Sequence, residues 1–437
     1  MKNWHWNAKP QISQSIYHHL PAFRWRNFRL LFLGQLLSMS GTFMTQQLAI
    51  PWLIYDLTQS AWLLGLAGFL QFLPTLLLIP VSGVLSDRWQ QRDLLMLVQI
   101  LGISISITLT ILTFLDLITF EALLILSVLN GLLKGLDMPV RHTIVTHTVD
   151  DRVDWANAIA LNSVMLSLSL VLGPALGGIL MSTLGVKYCF LYDSLSYLAA
   201  ILTLQAMHIH PMHQQAISEN ADGWQRFCEG FSYIKEVRPI RILLLIIAIK
   251  SVVGSACIAL LPVFAADVLR GNASTLAMIS AAGPVGALLA CLYLSIRQSI
   301  LGLERLILVS QALIGVGFFA VAYSRESIFS FLSLIVVGGF SLLHLTSSNT
   351  IIQSLVADDK RGRVMSFYAL ALVGMMPFGN LLAGGLAQHM GAPSALIVCG
   401  CICWLGSAWF FFQLPQLTLW IRKHLQTDAS DKQEEFV

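Results

Sequence analysis

Twelve runs of about twenty mostly apolar residues, broken by short polar stretches, dominate the chain. A helix needs about 20 such residues to cross a bilayer. The runs lie near 30–55, 61–85, 94–115, 122–146, 157–181, 187–206, 240–266, 273–296, 304–323, 327–355, 364–388 and 392–413. They explain why 56% of the 437 residues are apolar and only 11% charged, with a mean hydropathy of +0.73. Soluble domains carry roughly a quarter charged residues, and a soluble chain of this length has too little interior to hide so much apolar surface. A soluble enzyme, a disordered scaffold and a nucleic-acid binder are thereby excluded. The expected fold class is all-α integral membrane, with twelve transmembrane helices. The fourth and tenth runs turn polar in their second halves.

Lys and Arg set the expected orientation. With the N-terminus inside, 20 of the 26 fall in inner segments. Lys187, Arg270 and Arg325 fall at the outer loops, and the interiors of the runs hold Lys134, Arg141 and Lys250. Basic residues concentrate on the cytoplasmic side of helical membrane proteins. Both termini are therefore expected in the cytoplasm, and the net charge of +3 needs no nucleic acid to explain it. The first 29 residues show no apolar stretch of a cleavable signal peptide; Pro10–Phe28 is expected to lie along the inner membrane surface.

The longest inner loop, 207–239, is polar and falls at the midpoint. It suggests two six-helix halves, 30–206 and 240–413, with 1–29 and 414–437 as cytoplasmic segments and the acidic end of the tail irregular. An internal echo agrees. Asp150-Asp151-Arg152 after run four matches Asp358-Asp359-Lys360 after run ten, and Gly177-Gly178 matches Gly384-Gly385. Parallel repeats in a transporter place the substrate site at their interface. His208, His210 and His213 lie on the midpoint loop without fixed geometry, and the seven cysteines lack metal-ligand spacing, so no metal site is expected.

Between runs two and three stands Gly83-Val84-Leu85-Ser86-Asp87-Arg88-Trp89-Gln90-Gln91-Arg92. Gly83 permits close helix approach, and Asp87 can pair with basic side chains and the next helix N-terminus. The G-x-x-x-D-R-x-x-x-R pattern resembles the signature loop of the major facilitator superfamily, with Gln90 and Gln91 replacing its usual glycine and basic residue. The resemblance implies the twelve-helix major facilitator fold and a gating role for Gly83, Asp87, Arg88 and Arg92. Gly173-Pro174-Ala175-Leu176-Gly177-Gly178 resembles the motif of drug–proton antiporters in that superfamily, with Ser169 where its first glycine is usual. Residues 28–43, 261–274 and 349–393 are similar to the branch that contains the enterobactin exporter and macrolide efflux pumps. Where that branch often carries an acid after the first-run glycine, this chain has Thr42.

Ionisable groups inside a membrane are costly, so each is a site hypothesis. Lys134, Asp137 and Arg141 share one helical face. Asp137 is expected to carry the coupling proton, with Lys134 and Arg141 at the substrate cavity. Lys250 falls about 15 Å into its run by helical rise, without an acid one turn away. Gln46, Asn130 and Asn349 are expected to offer hydrogen bonds to substrate. His344 is the second candidate proton carrier, because imidazole titrates near neutral pH. Asp193 is read as structural. No phosphate-binding loop or catalytic constellation is present, so neither enzymatic activity nor a cofactor is expected. The expectation is a monomeric exporter in the cytoplasmic membrane, in contact with lipid. It moves a siderophore or an amphiphilic antibiotic against protons. An importer or lipid flippase on the same fold is the main alternative, and a membrane enzyme or receptor the remote one.

Overall fold

The computed structural model describes residues 20–88, 91–207, 223–297, 301–356 and 360–434, and among these every regular element is helical. Among the described residues ten helices are long and apolar enough to cross a membrane. The first helix and the fourth pack among these and complete the bundle. Helix α1 comprises Arg26–Met44, a π turn at Thr45–Ala49, and Ile50–Thr58. Then follow α2 (Ala61–Arg88), α3 (Gln91–Phe114), α4 (Phe120–His147), α5 (Trp155–Thr183) and α6 (Lys187–Ala206). Helix α7 (Arg238–Val263) again ends in a π turn, Phe264–Val268. After it come α8 (Ala273–Ile296), α9 (Leu303–Tyr323), α10 (Ser327–Leu355), α11 (Arg361–Leu372 and Met376–Met390) and α12 (Ala392–Glu434).

The packing repeats. Helix α1 lies on α5 and α6, α4 on α2 and α3, and α3 on α6. Adding six to each number reproduces the second set of neighbours: α7 on α11 and α12, α10 on α8 and α9, and α9 on α12. The two sets meet through α2 against α11 and α5 against α8, which the same operation exchanges.

Three features depart from the sequence reading. The midpoint loop holds a helix, Gly223–Glu236. It docks because Ile234 is buried against an apolar cluster with Ile240 and Val364, Glu229 pairs with Arg363 at 3.0 Å, and Lys360 sits 4.6 Å over the Tyr233 ring. Helix α12 does not stop near 413 but runs on to Glu434, because Leu417 and Ile421 are buried in that same cluster; the tail expected to be irregular is thus largely helical. Helix α11 is broken. Pro377 lacks an N–H and its ring displaces the carbonyl four residues back, so Met376 N–H turns to Val373 O at 3.2 Å. Ser251 of α7 donates to the freed carbonyl of Leu372, and Ser255 to the carbonyl of Met376 at 3.0 Å. Irregular backbone at this depth survives only with such internal partners.

The residues at 10–19 and the histidines at 208–213 lie outside the described residues. The chain just before α1 is tied down: Arg24 pairs with Asp154 at 2.8 Å and Asp151 at 3.2 Å, and Trp25 Nε1 donates to Asp154 at 2.9 Å.

Candidate functional site

A cavity of about 400 Å³ lies between the two sets of helices. Its walls come from α1, α2, α4 and α5 on one side and from α7, α8, α10 and α11 on the other. The π turn of α1 brings Gln46 and Gln47 to it, and the break in α11 brings Leu372 and Met376. A π turn adds a residue to the helical repeat and is frequent at functional sites.

Two of the three cations inside the bundle line this cavity, Lys134 and Lys250. Lys134 Nζ lies 4.8 Å over the Phe72 ring, a cation–π contact. Lys250 makes no ion pair among the described residues. No Asp or Glu lies among the lining residues. Polar capacity comes instead from Gln46, Gln47, Gln71 and Asn380 and from serines; Ser127 Oγ and Ser280 Oγ are buried without a hydrogen-bond partner. Ile50, Ile54, Phe72, Leu334 and Val337 supply apolar wall. The site is therefore net positive, rich in donors, and partly greasy.

Arg141 takes the Asp137 carboxylate, through Nε at 2.9 Å and Nη2 at 2.6 Å, at 14% and 17% side-chain exposure. That pair stands outside the cavity lining, as do Asn130, which is buried, and Asn349, which accepts from Gln353 at 3.1 Å. His344 also lies outside it, fully buried with both ring nitrogens unpartnered. Of the polar residues expected at the cavity, then, the fold gathers Lys134, Lys250 and Gln46 and leaves Arg141, Asn130 and Asn349 elsewhere.

Gly83, Asp87 and Arg88 belong to the last turns of α2, and their side chains lie outside the described residues. Arg92 donates to the carbonyls of Leu204 at 3.2 Å and Gln205 at 3.3 Å, capping the C-terminal end of α6. In the packing motif, Gly173 and Gly177 face α1. A Cβ on Gly173 would lie 2.8 Å from Ser40 O, and one on Gly177 2.6 Å from Leu48 Cδ2. Gly178 faces α8, where a Cβ would collide with Ala277. Pro174 is buried between these glycines.

At the end opposite the termini, here the distal end, the two sets of helices close on each other. Tyr55 donates to Asp267 Oδ2 at 2.6 Å, joining α1 to α7. Ser60 Oγ donates to Gln388 Oε1 at 3.1 Å, and Trp62 N–H to the same oxygen at 3.2 Å. A Cβ on Gly65 would lie 2.7 Å from Gly384 Cα. Sequence reasoning missed this seal. Gly384 was visible as half of a repeated pair, but nothing local marks Tyr55 and Asp267 as partners 212 residues apart.

The profile of a family described as transmembrane secretion effectors, MFS_3, matches residues 18–431. Among curated proteins, the staphyloferrin A transporter of Staphylococcus aureus is 24% identical over 375 residues, covering 85% of this chain and 90% of that protein. Macrolide efflux protein A of Streptococcus pyogenes is 21% identical over 377 residues, covering 85% and 92%. Among solved structures, a bacterial homologue of the human lysosomal transporter Spinster, in an inward-facing unoccupied conformation, superposes with a TM-score of 0.69 at 15% identity, covering 91% of this chain and 97% of that one.

Proposed function

Given that the chain belongs to the transmembrane secretion effector family of the major facilitator superfamily, and so to a family of small-molecule transporters, we propose that it exports an anionic chelator of the siderophore class in exchange for protons. The observation that carries this reading is the pair Lys134 and Lys250 in one cavity without an acid among its lining residues. A chelator built from carboxylates or other anionic oxygens supplies the missing negative charge, and the Gln, Asn and Ser side chains serve its neutral oxygens and hydroxyls. The likeness to a siderophore transporter supports this choice. The apolar wall supports a second reading, an amphiphilic antibiotic, to which the macrolide efflux relative also points.

Transport proceeds by alternating access. The distal seal through Tyr55–Asp267, Gly65–Gly384 and Gly178–Ala277 faces outward and opens as the halves rock about the cavity. The site lies in the cytoplasmic membrane with both termini inside, and the chain works as a monomer. The Asp87–Arg88 region and Arg92 govern closure at the opposite end. Asp137 takes up a proton and frees Arg141, and His344 is a second proton-binding group.

Two measurements test this reading. Cells lacking the gene, starved of iron, are expected to retain a chelator that wild-type cells release; mass spectrometry of cells and medium detects it. An unchanged profile removes the siderophore reading, and antibiotic susceptibility then tests the second one. In everted vesicles an imposed proton gradient drives accumulation of the exported compound, and Asp137→Asn abolishes it while leaving binding intact. If Asp137 is only a structural partner of Arg141, the double variant D137N/R141Q restores transport, since breaking one side of a buried pair costs about 3–5 kcal/mol and removing both does not. Accumulation by right-side-out vesicles instead would make the protein an importer.

A further inference from the structure

Asp193 has no place in the mechanism so far. It stands in α6 at 4% exposure, and its carboxyl makes no ion pair among the described residues. Ser106 of α3 donates to Oδ2 at 3.1 Å, while Oδ1 has no partner. Oδ1 lies against α1, close enough that a Cβ on Gly41 would sit 2.8 Å from it. Thr45, first residue of the α1 π turn, faces the same carboxyl closely enough to act on it, although its hydroxyl is outside good hydrogen-bond geometry. The groups facing Asp193 are thus neutral: Gly41 and Thr45 from α1, Ser106 from α3, and Cys189 and Tyr197 one turn away on α6 itself. The Asp137–Arg141 pair acts on Tyr197, a turn further along.

From Ser106 a chain of hydroxyls leads on. Ser194 Oγ donates to Ser106 Oγ at 3.1 Å. Thr110 Oγ1, which donates to Ser106 O at 2.8 Å, lies 3.2 Å from Ser194 Oγ, and either hydroxyl of that pair can be the donor. Thr110 is four residues from the distal end of α3, and Asp193 about 9 Å along α6 from the same end by helical rise.

We propose that Asp193 is a further proton-binding carboxyl on the way to Asp137, receives the driving proton from the distal face through Thr110, Ser194 and Ser106, and reports its state to the cavity through the π turn of α1. The inference rests on the antiport reading above. In the uptake step each hydroxyl accepts a proton and passes on its own, so that water at the distal face loses one proton and the carboxylate becomes a carboxylic acid. Release to the opposite side reverses the balance. The ionised form is unpaired in the membrane interior and draws the hydroxyl of Thr45 toward it; the neutral form does not. Thr45 and Gln46 are successive residues of one turn, so this movement reaches the cavity wall.

The full-length protein is incubated with dicyclohexylcarbodiimide over a pH series, and the adducts are mapped by mass spectrometry. A protonated buried carboxyl adds across the carbodiimide and rearranges to a stable N-acylurea. Labelling of Asp193 that falls at least tenfold from acid to alkaline pH is expected, with slower labelling in Ser106→Ala. An unlabelled Asp193, or one labelled equally at every pH, overturns the proposal. In everted vesicles, with citrate and erythromycin as probes, Asp193→Asn is expected to keep counterflow but lose gradient-driven accumulation at least tenfold, and Asp193→Glu to recover part of it with a displaced pH profile. Wild-type accumulation that D193N matches overturns the role of Asp193 alone. Wild-type vesicles that accumulate neither probe overturn the antiport reading itself. If D193N does not fold, the labelling decides.

Discussion

Lys250→Met is expected to lower the affinity for the proposed anionic cargo about 30-fold and to leave the protein as stable as before or more so. Lys250 lines the cavity and has no ion-pair partner among the described residues. A charged hydrogen-bonding contact to cargo contributes about 2 kcal/mol, which is roughly 30-fold in binding. The stability sign is opposite to that of an ordinary core substitution. Holding an ammonium group in the membrane interior is costly, and Met has similar bulk without the charge. Lys250→Arg keeps the charge and is expected to retain most of the affinity. Lys134→Met has a smaller effect, because part of the Lys134 charge already faces Phe72. Isothermal titration of the purified variants, alongside their melting temperatures, checks both signs. Unaltered affinity in K250M would remove the anionic reading of the cavity.

Gly178→Leu acts at the other large lever, the distal seal. A Cβ at Gly178 already collides with Ala277 of α8, and the two helices can accommodate a leucine only by separating. Overpacking costs about 1–3 kcal/mol. Loaded onto one of two states, the upper figure shifts their ratio about 150-fold. The variant is therefore expected to favour the state open at the distal end and to lose nearly all net transport. Cys257 lines the cavity and gives the readout once the other six cysteines are replaced by serine. A membrane-impermeant maleimide added from the distal side should label Cys257 in G178L but not in the protein with Gly178. Equal protection in both would mean that the α5–α8 contact does not govern the seal.

Much of this architecture was legible in the sequence for a simple physical reason. A helix immersed in lipid must be apolar along its whole length, and that property is local. The twelve segments, the packing glycines and the unusual cations could therefore be read one stretch at a time. How each helix is rotated about its axis depends on its neighbours. Lys134 and Arg141 lie on one face, yet only Lys134 turns to the cavity, because Arg141 bends back to Asp137. Asp193 stood out as an ionisable residue in a run but was read as structural, because its neighbours on α1 and α3 cannot be placed beside it from sequence periodicity. The helix at Gly223–Glu236 was hidden by polarity, since its one buried stripe rests on a short amphipathic pattern rather than on a long apolar run.

The absence of acid from the cavity lining has an electrical consequence. Cargo that brings a net negative charge to Lys134 and Lys250, and leaves without them, moves that charge outward across the membrane. A cell interior negative by ~100 mV favours such a step by about 2.3 kcal/mol per elementary charge. Voltage alone would then sustain part of the export when the pH on the two sides is equal, and clamping the potential with potassium and valinomycin would slow it.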